Sequence, residues 1–553
     1  MALAPAAPPP HEPLPPEMEP LLAIIRTGNM SVVGEVEALW HRHPNCPDLL
    51  RHLIFVHAAR REHERAIELC HELLKIEPGN PETHLCIADR LVRMGRLDEA
   101  EAAYREIQRT CPAHEGPPIG IRYVDYLRRR GGRSEAEGED EPLRRRTATK
   151  RQEANRRLNA AEWEAGRLRL RSMPPRLNVE GTHRCNFYCQ TCLKGYGAYF
   201  AADMEAGVLA KVREELIPTA TGIGISGYGE PTIGNLFDDI LDTCVAEGAA
   251  LDMTTNATGL NFRRIEQMIR HKVAVNISVD GATKETFERI RLGGSFEQLL
   301  GHLATILRLR RIHVDQLLSA WHFNFVAVRS NVHELPGVVR LAARYDIASI
   351  HVIDYSLNWN AFDAESLRND PALARRWFAE ARRVAQETGV ALTLPPDHAE
   401  TSIPTVPLPL WRRIRAAGRL FPKRRRFPQR CGSPWIHPFI TPTGDVQPCC
   451  AHPPIGSIRN RPFRSVWNGW RYRVLRLRIH TAFPPLACRH CHVETGINAG
   501  NAGNCIAQEG LIIKTLYWIE IRLRRGGRWA WTKIIRAKPP APNYERGRPI
   551  TGG

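Results

Sequence analysis

Residues 177–192 read LNVEGTHRCNFYCQTC, a short apolar strand candidate followed at once by a loop with three cysteines. Cys185, Cys189 and Cys192 have the spacing C-x3-C-x2-C. Three thiolates this close together can ligate three irons of a [4Fe–4S] cube and leave the fourth iron open to a substrate or cofactor. A three-cysteine zinc site and unrelated thiols are the alternatives. The position of the motif at the end of a strand favours the cluster.

Beyond this loop, short apolar segments alternate with longer helical ones up to about residue 358. The strand candidates are residues 177–181, 222–227, 251–256, 273–280, 322–328 and 348–353. Six strands separated by helices predict a parallel α/β architecture, and six units predict a partial (β/α)6 barrel. Ligands bind such barrels at the carboxyl ends of the strands, which is where the motifs of this sequence fall.

Further motifs follow the later strand candidates in order. They are Gly227-Tyr-Gly229-Glu230-Pro231, Thr255-Asn256-Ala257, Ile277-Ser278-Val-Asp280-Gly281 and Ile290-Arg291-Leu-Gly293-Gly294. Together with the cysteine loop, this series resembles the radical S-adenosylmethionine (radical SAM) enzymes, and the resemblance extends through the whole barrel. Two positions depart from the family pattern, since Ala257 replaces a glycine and Thr191 stands where an aromatic residue is frequent.

The resemblance implies a cofactor, an activity and a set of binding residues. In the family, the open iron of a [4Fe–4S] cluster chelates S-adenosylmethionine, whose reductive cleavage gives a 5′-deoxyadenosyl radical that abstracts hydrogen from the substrate. The cluster ligands implied here are Cys185, Cys189 and Cys192, and the implied S-adenosylmethionine contacts are Gly229, Glu230, Asn256, Ser278, Asp280 and Arg291. Glu230 is expected to hold the methionine ammonium. Arg291 is expected to pair with the carboxylate, because guanidinium groups bind carboxylates through two hydrogen bonds, and Arg289 competes for that role.

The catalytic acid or base is not identified by the sequence. His322, Asn324, His351 and Asp354 stand at or near strand ends, but residues of these types are more often packed or solvated than catalytic.

A second cysteine group lies near the carboxyl terminus. Cys431 and Cys449 belong to a C-x12-G-x4-C pattern, and Cys488 and Cys491 form a C-x2-C pair. This group resembles the SPASM/twitch extension of radical SAM enzymes, which carries auxiliary iron–sulfur clusters. The full SPASM pattern has three more cysteines soon after the pair, whereas here none follows until Cys505, so we expect one auxiliary [4Fe–4S] cluster held by these four thiolates.

Other ligand sets are open for this second group. Cys450 competes with Cys449, and Cys505 is either a ligand or a spectator. A structural zinc site with four cysteines is the alternative to a cluster.

The amino-terminal part repeats with a period of 34 residues, as Pro44, Pro78 and Pro112 show. Paired amphipathic helices with this period resemble the tetratricopeptide repeat, and the clearer copies span 47–80 and 81–114. An ordinary helical bundle is the alternative. In either case the region is α-helical and is expected to position a partner, such as a protein that carries the substrate.

The sequence therefore predicts an α/β protein of seven segments. They are a disordered Pro-rich start (1–16), tetratricopeptide-like helices (17–127), a charged linker that ends as a solvated helix (128–172), the barrel (173–400), a basic connector (401–430), a SPASM/twitch cluster domain (431–510) and a basic aromatic tail (511–553).

The net charge of +18 arises from 77 basic and 59 acidic residues, and it is concentrated in two places. Residues 411–430 carry nine basic and no acidic side chains, and residues 511–553 carry ten basic and two acidic ones. The tail suits contact with an anionic membrane surface or, as the alternative, packing on the last domain with its arginines solvated. Nucleic acid is disfavoured because no binding motif accompanies the charge. No signal peptide or membrane span is evident, which predicts a cytoplasmic, at most membrane-peripheral, protein.

The substrate is the least determined property. A single auxiliary cluster favours, by analogy, oxidation or epimerisation of a sugar-like or carrier-bound small molecule, and a maturase of peptide side chains is the alternative. A flavodoxin or ferredoxin is the expected electron donor. A non-catalytic repeat scaffold would show degraded motifs, and the three barrel cysteines and Glu230 are intact.

Overall fold

The computed structural model describes residues 12–26, 29–132, 148–192, 202–246, 248–316, 320–355, 363–395, 431–449, 452–479 and 488. The predictions for the connector at 401–430, the tail at 511–553, Cys450, Cys491 and Cys505 lie outside these residues, as does most of the Pro-rich start. Within the described ranges, no helix is both long and apolar enough to cross a membrane.

The amino-terminal region is a row of helices, each packed on the next. The helices are α1 (Met18–Arg26), α2 (Val33–Arg42), α3 (Pro47–Ala59), α4 (His63–Ile76), α5 (Pro81–Arg93), α6 (Leu97–Thr110) and α7 (Gly116–Arg129). The pairs α3–α4 and α5–α6 coincide with the two predicted repeat copies. Each pair begins with proline at the first helical position, where its fixed φ and missing N–H are favourable.

The repeat core is built on the small and aromatic positions that the 34-residue motif expects. Ala88, Ala100 and Tyr104 are fully buried. A Cβ atom on Gly120 of α7 would lie 2.5 Å from the Tyr104 ring, so only glycine allows α7 to approach this closely. The Tyr104 hydroxyl donates a hydrogen bond of 2.6 Å to Asp89, which satisfies both buried groups.

Helix α8 (Lys150–Glu164) connects the repeats to the barrel and to the carboxyl-terminal region. The sequence predicts a solvated helix, and its arginines are exposed, but Gln152, Asn159 and Glu162 are buried. Asn159 Nδ2 donates to the carbonyl oxygen of Trp435 at 2.8 Å, and Glu162 accepts hydrogen bonds from the chain leading into the barrel. The helix is thus a structural link rather than a free linker.

The central region is a parallel sheet. Its strands are β1 (Arg176–Val179), β2 (Gly222–Ile225), β3 (Ala250–Thr255), β4 (Ala274–Ser278), β5 (Trp321–Ala327), β6 (Ser349–Asp354) and β7 (Ala391–Thr393). Each strand is hydrogen-bonded to the next in chain order. The predicted parallel α/β fold is confirmed, and the three-residue β7 is an additional strand too short to give a recognisable sequence pattern.

Helices cover one face of this sheet and leave the other half-buried. They are α9 (Ala206–Lys211), α10 (Phe237–Ala246), α11 (Phe262–Arg270), α12 (Lys284–Ile290), α13 (Phe296–Ile312), α14 (Leu335–Arg344) and α15 (Pro371–Thr388). Side chains alternate between the faces of a strand. In β5, Trp321, Phe323 and Phe325 are fully buried, whereas His322 and Asn324 between them are half-buried. The open face of the sheet is therefore polar.

The carboxyl-terminal region extends the same sheet. Its elements are α16 (Ser433–Ile436), β8 (Phe439–Ile440), β9 (Asp445–Gln447), β10 (Gly456–Ser457), α17 (Phe463–Trp467) and α18 (Trp470–Arg478). Strand β8 pairs in parallel with β1, and β9 and β10 follow as antiparallel neighbours. The sequence does not predict this continuity, because two- and three-residue strands carry too few side chains to show alternation.

The repeats are docked on the barrel through the first helix of each pair. Helices α5 and α7 pack against α13, and α3 packs against residues 314–316. Arg61 and Arg93 both contact Asp315 at 2.9 Å, and Tyr126 donates to Glu266 at 3.0 Å. Asp315 and Glu266 have no exposed side-chain surface, so this interface is a buried polar network.

Candidate active site

The cysteine loop follows β1 and lies against the segment that follows α12. Tyr188 N donates to the carbonyl oxygen of Leu292 at 2.8 Å, and Gln190 N donates to that of Ile290 at 2.9 Å. Gly294 packs on the buried ring of Phe187, and a Cβ atom there would lie 3.0 Å from the ring. These contacts bring the first and last of the predicted barrel motifs together.

Two thiols of the loop face nitrogen donors from other barrel loops. Asn256 Nδ2 lies 4.0 Å from Cys185 Sγ, and Arg291 Nη1 lies 3.9 Å from Cys189 Sγ. Burial raises the pKa of Cys189 to about 12. A thiol must lose its proton to bind a metal, and N–H groups directed at sulfur stabilise the resulting thiolate.

The donor set fits the iron–sulfur cluster that the sequence implies. Cys185, Cys189 and Cys192 are all half-buried in one loop, and the donors around them suit an anionic group. In the described part of the chain, no three thiol, imidazole or carboxylate side chains already close around one point. The assignment of these three residues as ligands stays a prediction.

Arg291 forms a buried ion pair beside the cysteines. Its Nη2 lies 2.8 Å from Asp280 Oδ2, and Asp280 Oδ1 accepts a hydrogen bond of 2.8 Å from Val326 N. Burial opposes the charge of Arg291, but Asp280 and the nearby thiols outweigh it and raise the pKa of the guanidinium. Arg289 instead donates to the carbonyl oxygen of Ser330 at 2.9 Å. The geometry thus favours Arg291 over Arg289 as the arginine of the site.

Glu230 ties the loops after β2 and β3 together. Its Oε1 accepts hydrogen bonds of 2.6 Å from the hydroxyls of Thr232 and Thr255, and its Oε2 accepts one of 2.6 Å from Asn256 N. Burial raises the pKa of Glu230, although these bonds oppose the rise. The carboxylate therefore positions the loops, and its expected contact with an ammonium group stays a prediction.

Gly229 allows the loop after β2 to pack on the cysteine loop. A Cβ atom there would lie 2.6 Å from the carbonyl oxygen of Arg184 and still closer to that of Thr182. Glu230 N donates to the same Arg184 oxygen at 2.8 Å. No side chain fits at this contact, which explains the glycine at this position.

Sequence reasoning missed Glu180, the residue that follows β1. It is 2 % exposed, and its Oε1 accepts hydrogen bonds from Tyr228 N and Gly229 N, the latter at 3.3 Å. It supports the turn that carries Gly229. The signal was available, because a carboxylate directly after an apolar strand is unusual unless it is paired.

The carboxyl ends of β4, β5 and β6 place polar residues in one row. Ser278, Asn324 and His351 are adjacent in the strand register and half-buried. Burial lowers the pKa of His351, which favours its neutral form. Asp354 is buried and lies 3.3 Å from Arg368 Nε. These positions make the row a candidate substrate surface and Asp354 a structural ion-pair partner.

The second cysteine group is described in part. Cys431, Cys449 and Cys488 are half-buried, and Cys431 and Cys488 pack against the main core. Burial, together with the nearby Cys449, raises the pKa of Tyr472 on α18. Because Cys491 is outside the described residues, the four-ligand set stays a prediction.

Comparison with protein families assigns three parts of the chain. The family model of the radical SAM superfamily matches residues 179–317, that of the SPASM iron–sulfur cluster-binding domain matches residues 431–492, and that of the tetratricopeptide repeat matches residues 57–112. All three parts agree with the predictions from the sequence.

Several curated proteins are similar in sequence. The mycofactocin maturase MftC of Mycobacterium ulcerans is 28% identical over 170 residues, which are 31% of this chain and 44% of that protein. AlbA of Bacillus subtilis, an antilisterial bacteriocin subtilosin biosynthesis protein, is 24% identical over 352 residues, which are 60% of this chain and 67% of AlbA. The chain thus spans less than half the length of the maturase.

Among solved structures, SuiB of Streptococcus suis bound to S-adenosylmethionine is similar with a TM-score of 0.43 and 15% identity. The match covers 58% of this chain and 72% of SuiB.

Proposed function

Because this chain combines a radical SAM domain with a SPASM cluster-binding domain and tetratricopeptide repeats, we propose that it is a radical SAM maturase that modifies a peptide. The observation that carries the proposal is the similarity to AlbA, which runs over 60% of this chain and whose name refers to the biosynthesis of a bacteriocin. The maturase name of MftC supports the same class of product.

The expectation of a sugar-like substrate is replaced by the peptide alternative. It rested on analogy with single-cluster enzymes, and the curated relatives reported above favour a maturase instead. The carboxyl ends of the strands, with Ser278, Asn324 and His351 on the open face, would bind the peptide segment that reacts.

The residues of the barrel loops have distinct tasks in this proposal. Cys185, Cys189 and Cys192 would hold a [4Fe–4S] cluster, which together with S-adenosylmethionine supplies a radical that removes a hydrogen atom from the substrate. Asn256 and Arg291 donate N–H groups toward two of these thiols. Glu230 and Gly229 fix the loops that surround the cofactor.

The second cysteine group would serve electron transfer. Four thiolates close the coordination of a cluster and leave no iron open to a substrate. A closed cluster can accept the electron that an oxidised substrate radical releases. We take Cys431, Cys449, Cys488 and Cys491 as its ligands.

The test is anaerobic reconstitution of the full chain with iron and sulfide, followed by assay of 5′-deoxyadenosine after addition of dithionite and S-adenosylmethionine. We expect about eight irons per chain and slow cleavage without a peptide. The triple variant Cys185→Ala, Cys189→Ala, Cys192→Ala should lose cleavage and keep about four irons. Unchanged cleavage in that variant would contradict the proposal, and about four irons in an active wild type would assign zinc or structure to the second group.

The peptide substrate is tested separately by mass spectrometry. Candidate peptides are incubated with the reconstituted chain, and the expected result is a mass change that requires S-adenosylmethionine and is absent with the triple variant. Turnover of a free sugar without any effect on peptides would restore the small-molecule reading.

A further inference from the structure

A cavity of about 490 Å³ lies between the repeats and the barrel. One side of it is formed by α3, α4 and α5, and the other by Arg308, Arg311, Val314 and Asp346. These barrel residues precede β5 and β6, whereas the cysteine loop follows a strand. The cavity therefore lies at the amino ends of the strands, on the opposite side of the barrel from the candidate active site.

Two buried arginines on the cavity wall keep N–H groups without a partner. Arg90 is 1 % exposed and Arg308 is 4 % exposed. Arg90 Nη2 donates to two backbone carbonyls at the end of α13, but its Nε and Nη1 find no acceptor among the described residues. Arg308 Nη2 contacts Asp89 at 3.1 Å, and its Nε and Nη1 are likewise unpaired within the described ranges.

Unpaired N–H groups of a buried guanidinium are unfavourable, because burial removes water without supplying an acceptor. Such groups are rare in native proteins unless a ligand completes them. Two guanidinium groups on the wall of one cavity point to an oxyanion, since this group accepts several charge-assisted hydrogen bonds at once.

The charge of the wall agrees with this reading. The charged residues on it are five arginines and three carboxylates, namely Arg51, Arg90, Arg308, Arg310, Arg311, Glu82, Asp89 and Asp346. Each carboxylate already pairs with an arginine of the wall, in the pairs Glu82–Arg311, Asp89–Arg308 and Asp346–Arg310. In the part of the chain that the structure describes, Arg90 contacts no carboxylate.

The rest of the wall is apolar. Ile54, Phe55, Leu73, Ile269 and Val314 contribute aliphatic and aromatic surface. The cavity volume falls within the range of about 300–1,000 Å³ that ligand pockets occupy. A ligand that suits this wall has an apolar body and a terminal oxyanion.

We propose that this cavity binds a carboxylate ligand with an apolar body, held by Arg90 and Arg308. The same chemistry is offered by a free aliphatic acid and by the acidic and aliphatic side chains of a peptide. The site is independent of the reaction at the cysteine loop, because it lies at the other end of the strands.

The test measures binding to the full chain by calorimetry and by thermal unfolding. The probes are octanoate, N-acetyl-leucyl-glutamate amide and inorganic phosphate, with octylamine as the control that keeps the apolar body and reverses the charge. A ligand that binds only the folded state raises the unfolding temperature in a saturable manner. We expect this effect with octanoate or the dipeptide and not with octylamine.

Variants locate the binding. Arg90→Gln should weaken carboxylate binding at least tenfold, and Arg105→Gln, at an exposed arginine on α6, should leave it unchanged. Ala58→Leu projects into the cavity and should abolish binding without removing a charge, so the test remains informative if Arg90→Gln does not fold.

The outcomes are separable. Tighter binding of the dipeptide would assign the site to a peptide segment, and tighter binding of octanoate would assign it to a free acid. Binding of phosphate alone would overturn the carboxylate assignment. No saturable binding of any anion, or equal affinity in the wild type, Arg90→Gln and Ala58→Leu, would overturn the site. Cleavage of S-adenosylmethionine is measured in the same samples, and its failure would concern only the proposed reaction.

Discussion

Gly229 is the residue at which the loops of the barrel come closest. An added methyl group would overlap with the backbone carbonyls of Thr182 and Arg184 and displace the cysteine loop. We expect Gly229→Ala to lower the free energy of unfolding by about 1–3 kcal/mol and to reduce iron incorporation. The measurements are urea unfolding and iron content after reconstitution.

The matched control for that substitution is Gly301→Ala, at an exposed position inside α13 with open space around it. Because alanine favours helix, this variant should be up to about 1 kcal/mol more stable and should keep its iron. Equal iron content in both variants would contradict the close approach at Gly229.

The Arg291–Asp280 pair is the second prediction at this scale. Arg291→Gln leaves a buried carboxylate without its counter-ion and should cost about 3–5 kcal/mol of unfolding free energy. The double variant Arg291→Gln, Asp280→Asn removes both charges, so it should be more stable than the sum of the single changes predicts. Strict additivity in urea unfolding would show that the two side chains do not interact.

How far the sequence reached can be judged from particular residues. Motif order brought Gly229, Asn256, Asp280 and Arg291 to one end of the barrel, because the ends of parallel strands meet at one edge. Glu180 escaped notice because its importance lies in hydrogen bonds to backbone groups 48 and 49 residues away. Such pairings depend on the fold and leave no local pattern.

At the scale of elements, helix α4 carries a titratable group at the interface of the repeats and the barrel. Burial, together with the charges of Arg90 and Arg93, lowers the pKa of His63 from 6.5 to about 4. The unfolded chain therefore binds a proton below pH 6.5 that the folded chain does not bind until near pH 4. Stability due to His63 is present above pH 6.5 and is lost as the pH falls towards 4.

We expect this loss to reach on the order of 3 kcal/mol near pH 4, at about 1.4 kcal/mol for each unit of pKa difference. The comparison is urea unfolding of the wild type and of His63→Gln between pH 7 and 4. The variant should show the shallower decline. Parallel declines in the two proteins would contradict a neutral, buried His63.

The elements also show what periodicity can and cannot reveal. The 34-residue spacing predicted α3–α6 as two helix pairs, because each pair repeats the same packing contacts. It did not reveal that α5 and α7 face α13 of the barrel. A surface that the repeats were expected to offer to a partner is thus partly used within the chain, and the binding of a protein partner stays a prediction.

At the scale of the whole molecule, the boundary of the core does not follow the boundary of the repeats. The buried apolar residues of α5, α6 and α7 belong to one cluster with the barrel and the carboxyl-terminal region. Those of α1 to α4 form a separate cluster with Val314. The second repeat is therefore energetically part of the barrel.

This division predicts the order of local unfolding. We expect amides of α1–α4 to exchange through an opening of lower free energy than those of α5–α7, because the latter open only when the main core does. Hydrogen exchange followed by mass spectrometry measures the difference. Equal protection across α1–α7 would contradict it.

The pairing of β8 with β1 has a consequence for anyone who divides this chain. An unpaired strand edge is a template for aggregation. Cutting the chain before residue 431 would strip β1 of the ladder that now covers it, directly beside the cysteine loop. A shortened protein would be prone to edge-to-edge association, and chimaeras that exchange the carboxyl-terminal region must supply a strand to replace Phe439 and Ile440.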